Sequence, residues 1–99
     1  MNDIQKQTLN CIRLAGFKIL CTLDRDKLTT FIRYPEGVYC LFTIPETGSI
    51  GFDTSYYSTL EELSTALSQS EFNALLLACA ENEDLTIEER LLFRDLIIS

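Results

Sequence analysis

Glu81, Asn82, Glu83 and Asp84 stand together between two apolar runs, and oxygen ligands crowded into an interhelix loop are the raw material of a calcium site. An EF-hand loop also requires ligands at alternating positions, a glycine at the sixth place and a bidentate glutamate at the twelfth. Counted from Glu81, those places hold Thr86 and Leu92, so the cluster reads as surface charge. Adjacent Glu61 and Glu62 are the nearest approach to an acid–base pair, but neighbouring helical residues point about 100° apart and share no target. Nucleophilic catalysis needs a serine or cysteine beside a base. The chain has no histidine, no GxSxG or SxxK arrangement, no P-loop and no GxGxxG turn. Cys11, Cys21, Cys40 and Cys79 form no CxxC pair and sit among apolar neighbours, which reads as reduced, buried small hydrophobes. No enzyme, no metal and no cofactor is expected.

Charge is the more informative chemistry. The 99 residues hold 15 acids against 8 bases, a net charge of -7, and the excess is unevenly divided. Residues 1–49 carry five acids and six bases (Lys6, Arg13, Lys18, Arg25, Lys27, Arg33), a net +1; residues 50–99 carry ten acids against Arg90 and Arg94, a net -8. A half of one sign creates a long-range potential that attracts positive partners and repels nucleic acid. Glu61, Glu62, Glu71, Glu88 and Glu89 fall in the first turns of predicted helices, where the dipole stabilises a carboxylate by about 0.3–1 kcal/mol. That local role leaves Glu81, Glu83 and Asp84, with Glu88 and Glu89 beside them, as the acidic group with most scope for binding.

The elements that must position these residues follow from periodicity. Asn2 and Gln5 form a capping-box pattern for a helix over 3–15 that Gly16 ends, with Ile4, Cys11, Ile12 and Ala15 on its inner side. From Phe17 the period becomes two, placing Phe17, Ile19, Cys21 and Leu23 on one face of a strand. Residues 24–27 turn the chain, and Pro35-Glu36-Gly37 joins strands Leu28–Tyr34 and Val38–Ile44 into a hairpin. Residues 50–53 either add a short edge strand or simply cross over. Ser58 with Glu61 opens a second helix with the stripe Leu60, Leu63 and Leu67; Ser70 caps a third helix running to Ala80, apolar nearly all round. Thr86 with Glu89 caps a last helix, Ile87 to Ile98, whose apolar residues point in more directions than one core accepts. The expected fold is α+β: an N-terminal helix, a three-stranded antiparallel meander with or without a short fourth strand, and three C-terminal helices, in two layers. It is expected to be one domain over 1–99.

Two further surfaces merit a functional reading. Phe52, Tyr56 and Tyr57 follow the sheet, where such aromatics form either a lid over the core or a contact surface. Lys18, Arg25, Lys27 and Arg33 flank the first strands, but the acids interleaved with them make a mixed sheet surface and argue against direct nucleic-acid binding. The longest apolar run, Ala74 to Ala80, is far below the roughly 18 residues of a membrane span, and the N-terminus lacks a secretory-type run. A cytoplasmic protein is expected.

These readings converge on a small non-enzymatic binding protein. Its acidic helical half would dock on a basic surface of a larger protein, one that handles nucleic acid. The docking residues would be Glu61, Glu62, Glu81, Glu83, Asp84, Glu88, Glu89, Tyr56 and Tyr57. In element order alone, with no shared residue motif, the layout resembles some small acidic phage-encoded inhibitors of bacterial immunity, certain anti-CRISPR proteins among them. That resemblance implies an inhibitor acting by occupancy. The alternative is a homo-oligomeric structural or accessory subunit that pairs, as a homodimer for instance, through Leu92, Phe93, Leu96 and Ile97 of the last helix.

Overall fold

The computed structural model describes residues 2–23, 27–48, 50 and 54–97. In chain order the elements are α1 (Asp3–Leu14), β1 (Lys18–Leu23), β2 (Thr29–Arg33), β3 (Tyr39–Thr43), β4 (Ser55–Tyr57), α2 (Leu60–Ala66), α3 (Gln69–Ala80) and α4 (Ile87–Asp95). The strands form one antiparallel sheet in the order β1-β2-β3-β4, so the α+β class and the helix, sheet, three-helix order are as expected.

α1 starts where its residues require. The Asn2 side chain accepts from the Gln5 amide at 2.8 Å, Gln5 Oε1 accepts from the Asn2 amide at 3.1 Å, and Gly16 follows the helix at φ 96°. The buried face differs from the apolar reading: it is Gln5, Leu9 and Ile12, while Ile4, Cys11 and Ala15 are exposed. Gln5 tips the balance because its Nε2 also donates to the Ile44 carbonyl at 2.8 Å, fully satisfying a buried amide. Cys11 is thus an exposed thiol, contrary to expectation; Cys21, Cys40 and Cys79 are buried.

β1 does not keep one face. Ile19 pairs with Ile32 and Cys21 with Phe31, leaving Leu20 as an extra residue in a bulge. Ile19 therefore joins the cluster of Leu9, Ile12, Ile32, Cys40, Phe42 and Ile44 on the α1 side. Leu20 and Cys21 join Phe31, Leu63, Leu75, Leu76, Cys79 and Phe93 on the other. Since alternate strand residues point to opposite faces, these two clusters lie on opposite sides of the sheet. Where two layers were expected there are three: α1, the sheet, and α2 to α4. The β2–β3 hairpin closes as predicted, with Tyr34 N–H donating to Val38 O, Gly37 N–H donating to Tyr34 O, and Gly37 at φ 86°.

The short fourth strand is Ser55–Tyr57, paired with β3. Ile50 is exposed and outside any strand, and residues 51–53, Phe52 included, lie outside the described residues, as does Arg25. Helix starts shift slightly. Thr59, not Ser58, caps α2, and Ser68, not Ser70, caps α3 with Glu71 as the reciprocal partner. α4 closes at Asp95 with Leu96 as its C-cap, short of the expected Ile98. Among the described residues no helix is long and apolar enough to cross a membrane.

Candidate protein-docking surface

The connection from α3 to α4 is held at nearly every step. The Glu81 amide donates to Leu77 O and the Asn82 amide to Cys79 O, ending α3; Leu85 N–H donates to Asn82 O and its side chain is buried. Asn82 organises the turn. Its Oδ1 accepts from the Asp84 amide at 3.1 Å, and its Nδ2 donates at 2.9 Å to the carbonyl of Leu20, the bulged residue of edge strand β1. Thr86 and Glu89 form the expected capping box, and Arg90 Nε donates to Ala80 O at 3.0 Å. Lys18 of β1 forms an ion pair with Glu89. Hydrogen bonding by Lys18 lowers the Glu89 carboxyl most; burial opposes it, and the capping contacts with Thr86 add to the lowering, so the carboxyl is held below its ordinary range.

On this pinned frame Glu81, Glu83, Asp84 and Glu88 are exposed, and among the described residues none of their carboxylates has an ion pair or a side-chain hydrogen bond. The sole ion pair among those residues is the one that takes Glu89 out of the group. Beside the turn, Ala80, Ile87, Arg90, Leu91 and Arg94 line a shallow groove of about 220 Å³ between α3 and α4. Ile87 is 72% and Leu91 52% exposed, and Leu77 is exposed one helical turn before Ala80. The charged side chains lining this groove are Arg90 and Arg94, while Asp84 lines a separate hollow with Arg13, Lys18, Ile19 and Leu85, so the exposed aliphatics here neighbour charge of both signs.

The other predicted docking residues are elsewhere. Glu61 and Glu62 ride on α2, which packs near the start of α3: Leu60, Glu61 and Ser64 share a groove with Gln69, Phe72 and Leu96. The length of α3 separates them from the acidic turn by about 18 Å. Glu62 is also occupied locally, accepting from the Ser58 amide at 2.8 Å. Tyr56 and Tyr57 are on β4, the opposite edge of the sheet from β1, about 14 Å away by strand spacing. Tyr57 packs on the core, while Tyr56 is exposed with its ring 6.0 Å from that of Tyr34. The Tyr34 hydroxyl is pushed up to about 12, first by burial and then by its hydrogen bond with Tyr56.

The predicted self-interface also divides. Phe93 is 4% exposed and anchors α4 in the core, so it is not available to a second chain, while Ile97 is half-buried against that core. Leu92 and Leu96 are exposed on one flank of α4, and Ile87 and Leu91 on the other. Sequence reasoning missed Asn82 and Lys18, whose partners are 62 and 71 residues away. The Ile87/Leu91 pair was legible in principle, being four residues apart and pointing away from Phe93.

Two of the buried thiols are held in their protonated form. Cys79 is raised far above the ordinary thiol range by its hydrogen bond with Cys21 and by burial, and burial raises Cys40, so both stay in the poorly reactive protonated form. Among the described residues no three His, Cys, Asp or Glu side chains are grouped to hold a metal ion. Comparison of the chain with family models, curated proteins and solved structures finds no match.

Proposed function

We propose that this protein is a small non-enzymatic regulator that docks its acidic α3–α4 turn onto a basic, phosphate-binding surface of a larger nucleic-acid-handling protein. The observation carrying this reading is the rigid presentation of Glu81, Glu83, Asp84 and Glu88, exposed together and left unneutralised among the described residues. A turn whose backbone is already ordered by Asn82 loses little backbone freedom on binding, so its carboxylates can take places on a basic surface that phosphates would otherwise occupy. Long-range attraction speeds encounter, and the neighbouring Leu77, Ile87 and Leu91 supply apolar area once docked. Inhibition follows from occupancy: while the turn is bound, nucleic acid is excluded from the same surface.

The test is capture from the native cell with immobilised intact protein, read by quantitative mass spectrometry in three arms. Wild type should retain a nucleic-acid-binding protein that double-stranded DNA or RNA elutes. The variant Glu81→Lys/Glu83→Lys/Asp84→Lys should lose it, and salt of about 0.5 M should release it by screening. Retention of the same protein by the triple variant, or indifference to competing nucleic acid, overturns the reading.

A further inference from the structure

The outer flank of α4 carries a second kind of complementarity, to itself. Measured around the helix from buried Phe93, Leu91 points nearly opposite, and Ile87, Glu88, Arg94 and Asp95 surround it at positions -4, -3, +3 and +4. Acid leads and base follows along this stripe, with an exposed aliphatic residue at its centre. Among the described residues neither Glu88 nor Arg94 has an ion pair or a side-chain hydrogen bond. Within α4 they cannot find each other, being six residues apart, and the residue one turn before Arg94 is the like-charged Arg90.

We propose that two copies of this chain associate through this flank, with their α4 helices antiparallel about a two-fold axis passing near Leu91. In that arrangement position 91+k of one helix meets 91-k of the other, so each Arg94 meets a Glu88, twice over by symmetry. The two Leu91 side chains meet at the axis, beside the groove lined by Ala80, Ile87, Arg90 and Leu91. Asp95 lies across from Ile87 at the first turn of the opposing α4, where the positive end of the helix dipole favours a carboxylate. A parallel pairing would set Glu88 against Glu88 and Arg94 against Arg94, so charge selects the antiparallel register. Glu81, Glu83 and Asp84 stay outside the contact, whereas Ile87, Glu88 and Leu91, which the docking surface would also use, are covered in it, so the dimer and the docked complex compete for this flank. The pairing rests on α4 alone and does not require that the acidic turn dock on a basic protein.

Sedimentation of the intact chain over a concentration series tests this directly. Wild type should reach dimer mass at about 10–100 µM, and Leu91→Asp should be monomeric with unchanged helical circular dichroism, while Leu92→Asp on the opposite flank should dimerise as wild type does. Arg94→Glu and Glu88→Arg should each raise the dimer dissociation constant about tenfold, since each reversal acts twice, and the combined swap should restore it to within about threefold of wild type. Glu83→Lys should leave it unchanged. A wild-type monomer at about 500 µM, a dimer indifferent to Leu91→Asp, or a double swap no better than the single reversals overturns the proposal.

Discussion

Glu89 shows how much one side chain can be asked to do. It accepts from both the amide and the hydroxyl of Thr86 at the start of α4 and pairs with Lys18 on β1, tying helix to strand. Because its folded-state pKa is depressed, its contribution is present above the unfolded-state value and is lost as pH falls through the folded-state one. The Glu89→Gln variant should therefore be less stable than wild type at pH 7 by about 0.5–1 kcal/mol, an exposed pair plus a weakened cap. That gap should close in acid, once pH has fallen below the depressed folded-state value and the wild-type carboxylate is protonated. Urea denaturation at pH 7 and in acid measures it, and a gap independent of pH would mean the carboxylate charge contributes nothing. Gln5 is the buried counterpart: one amide caps α1 and satisfies the Ile44 carbonyl, which is why a polar residue occupies the inner face.

At the scale of elements, α4 is held by one residue and left unpartnered around most of its circumference. Phe93 is its single buried residue, supported by Ile97 just beyond the helix, and the sequence spacing could not say which of the many apolar positions would be chosen. Phe93→Ala should cost about 3–5 kcal/mol through lost burial and a cavity in the α3–α4 cluster, whereas Leu92→Ala should cost under about 1 kcal/mol. Thermal or chemical unfolding of the two variants separates them, and equal costs would mean α4 packs on a different face. The bulge in β1 is the other decisive local event. One extra residue at Leu20 transfers Cys21 to the α3 side of the sheet and turns the Leu20 carbonyl toward Asn82, so an irregularity in the edge strand locates the acidic turn.

For the whole molecule the question is where the negative charge ends up. Among the described residues the acids of the second half do not form one face: Glu81, Glu83, Asp84 and Glu88 lie at one end of the α3–α4 hairpin, and Glu61 and Glu62 sit near the other. Carboxylates crowded at one end repel each other, so salt should stabilise the fold. Raising ionic strength from about 0.02 to 0.5 M should lift the melting temperature by about 3 °C, corresponding to roughly 0.5 kcal/mol. In Glu81→Lys/Glu83→Lys/Asp84→Lys this gain should vanish. A melting temperature that falls with salt in wild type would mean that attractive pairs outweigh the repulsion at this end.

Local rules that act within a few residues were legible from the chain alone. The Asn2/Gln5 and Thr86/Glu89 caps, the Pro35-Glu36-Gly37 hairpin, the α+β order and the acidic composition of the α3–α4 connection all depend on neighbours in sequence. Which apolar residue turns inward, which cysteine meets water and which carboxylate is neutralised depend on groups brought close only by folding. Leu20 reaches Asn82 across 62 positions, Lys18 reaches Glu89 across 71, and Gln5 displaces Ile4 from the core by finding a carbonyl 39 residues on. Burial and pairing are properties of the assembled layers, so the tertiary structure alone decided which of the predicted docking residues share a surface.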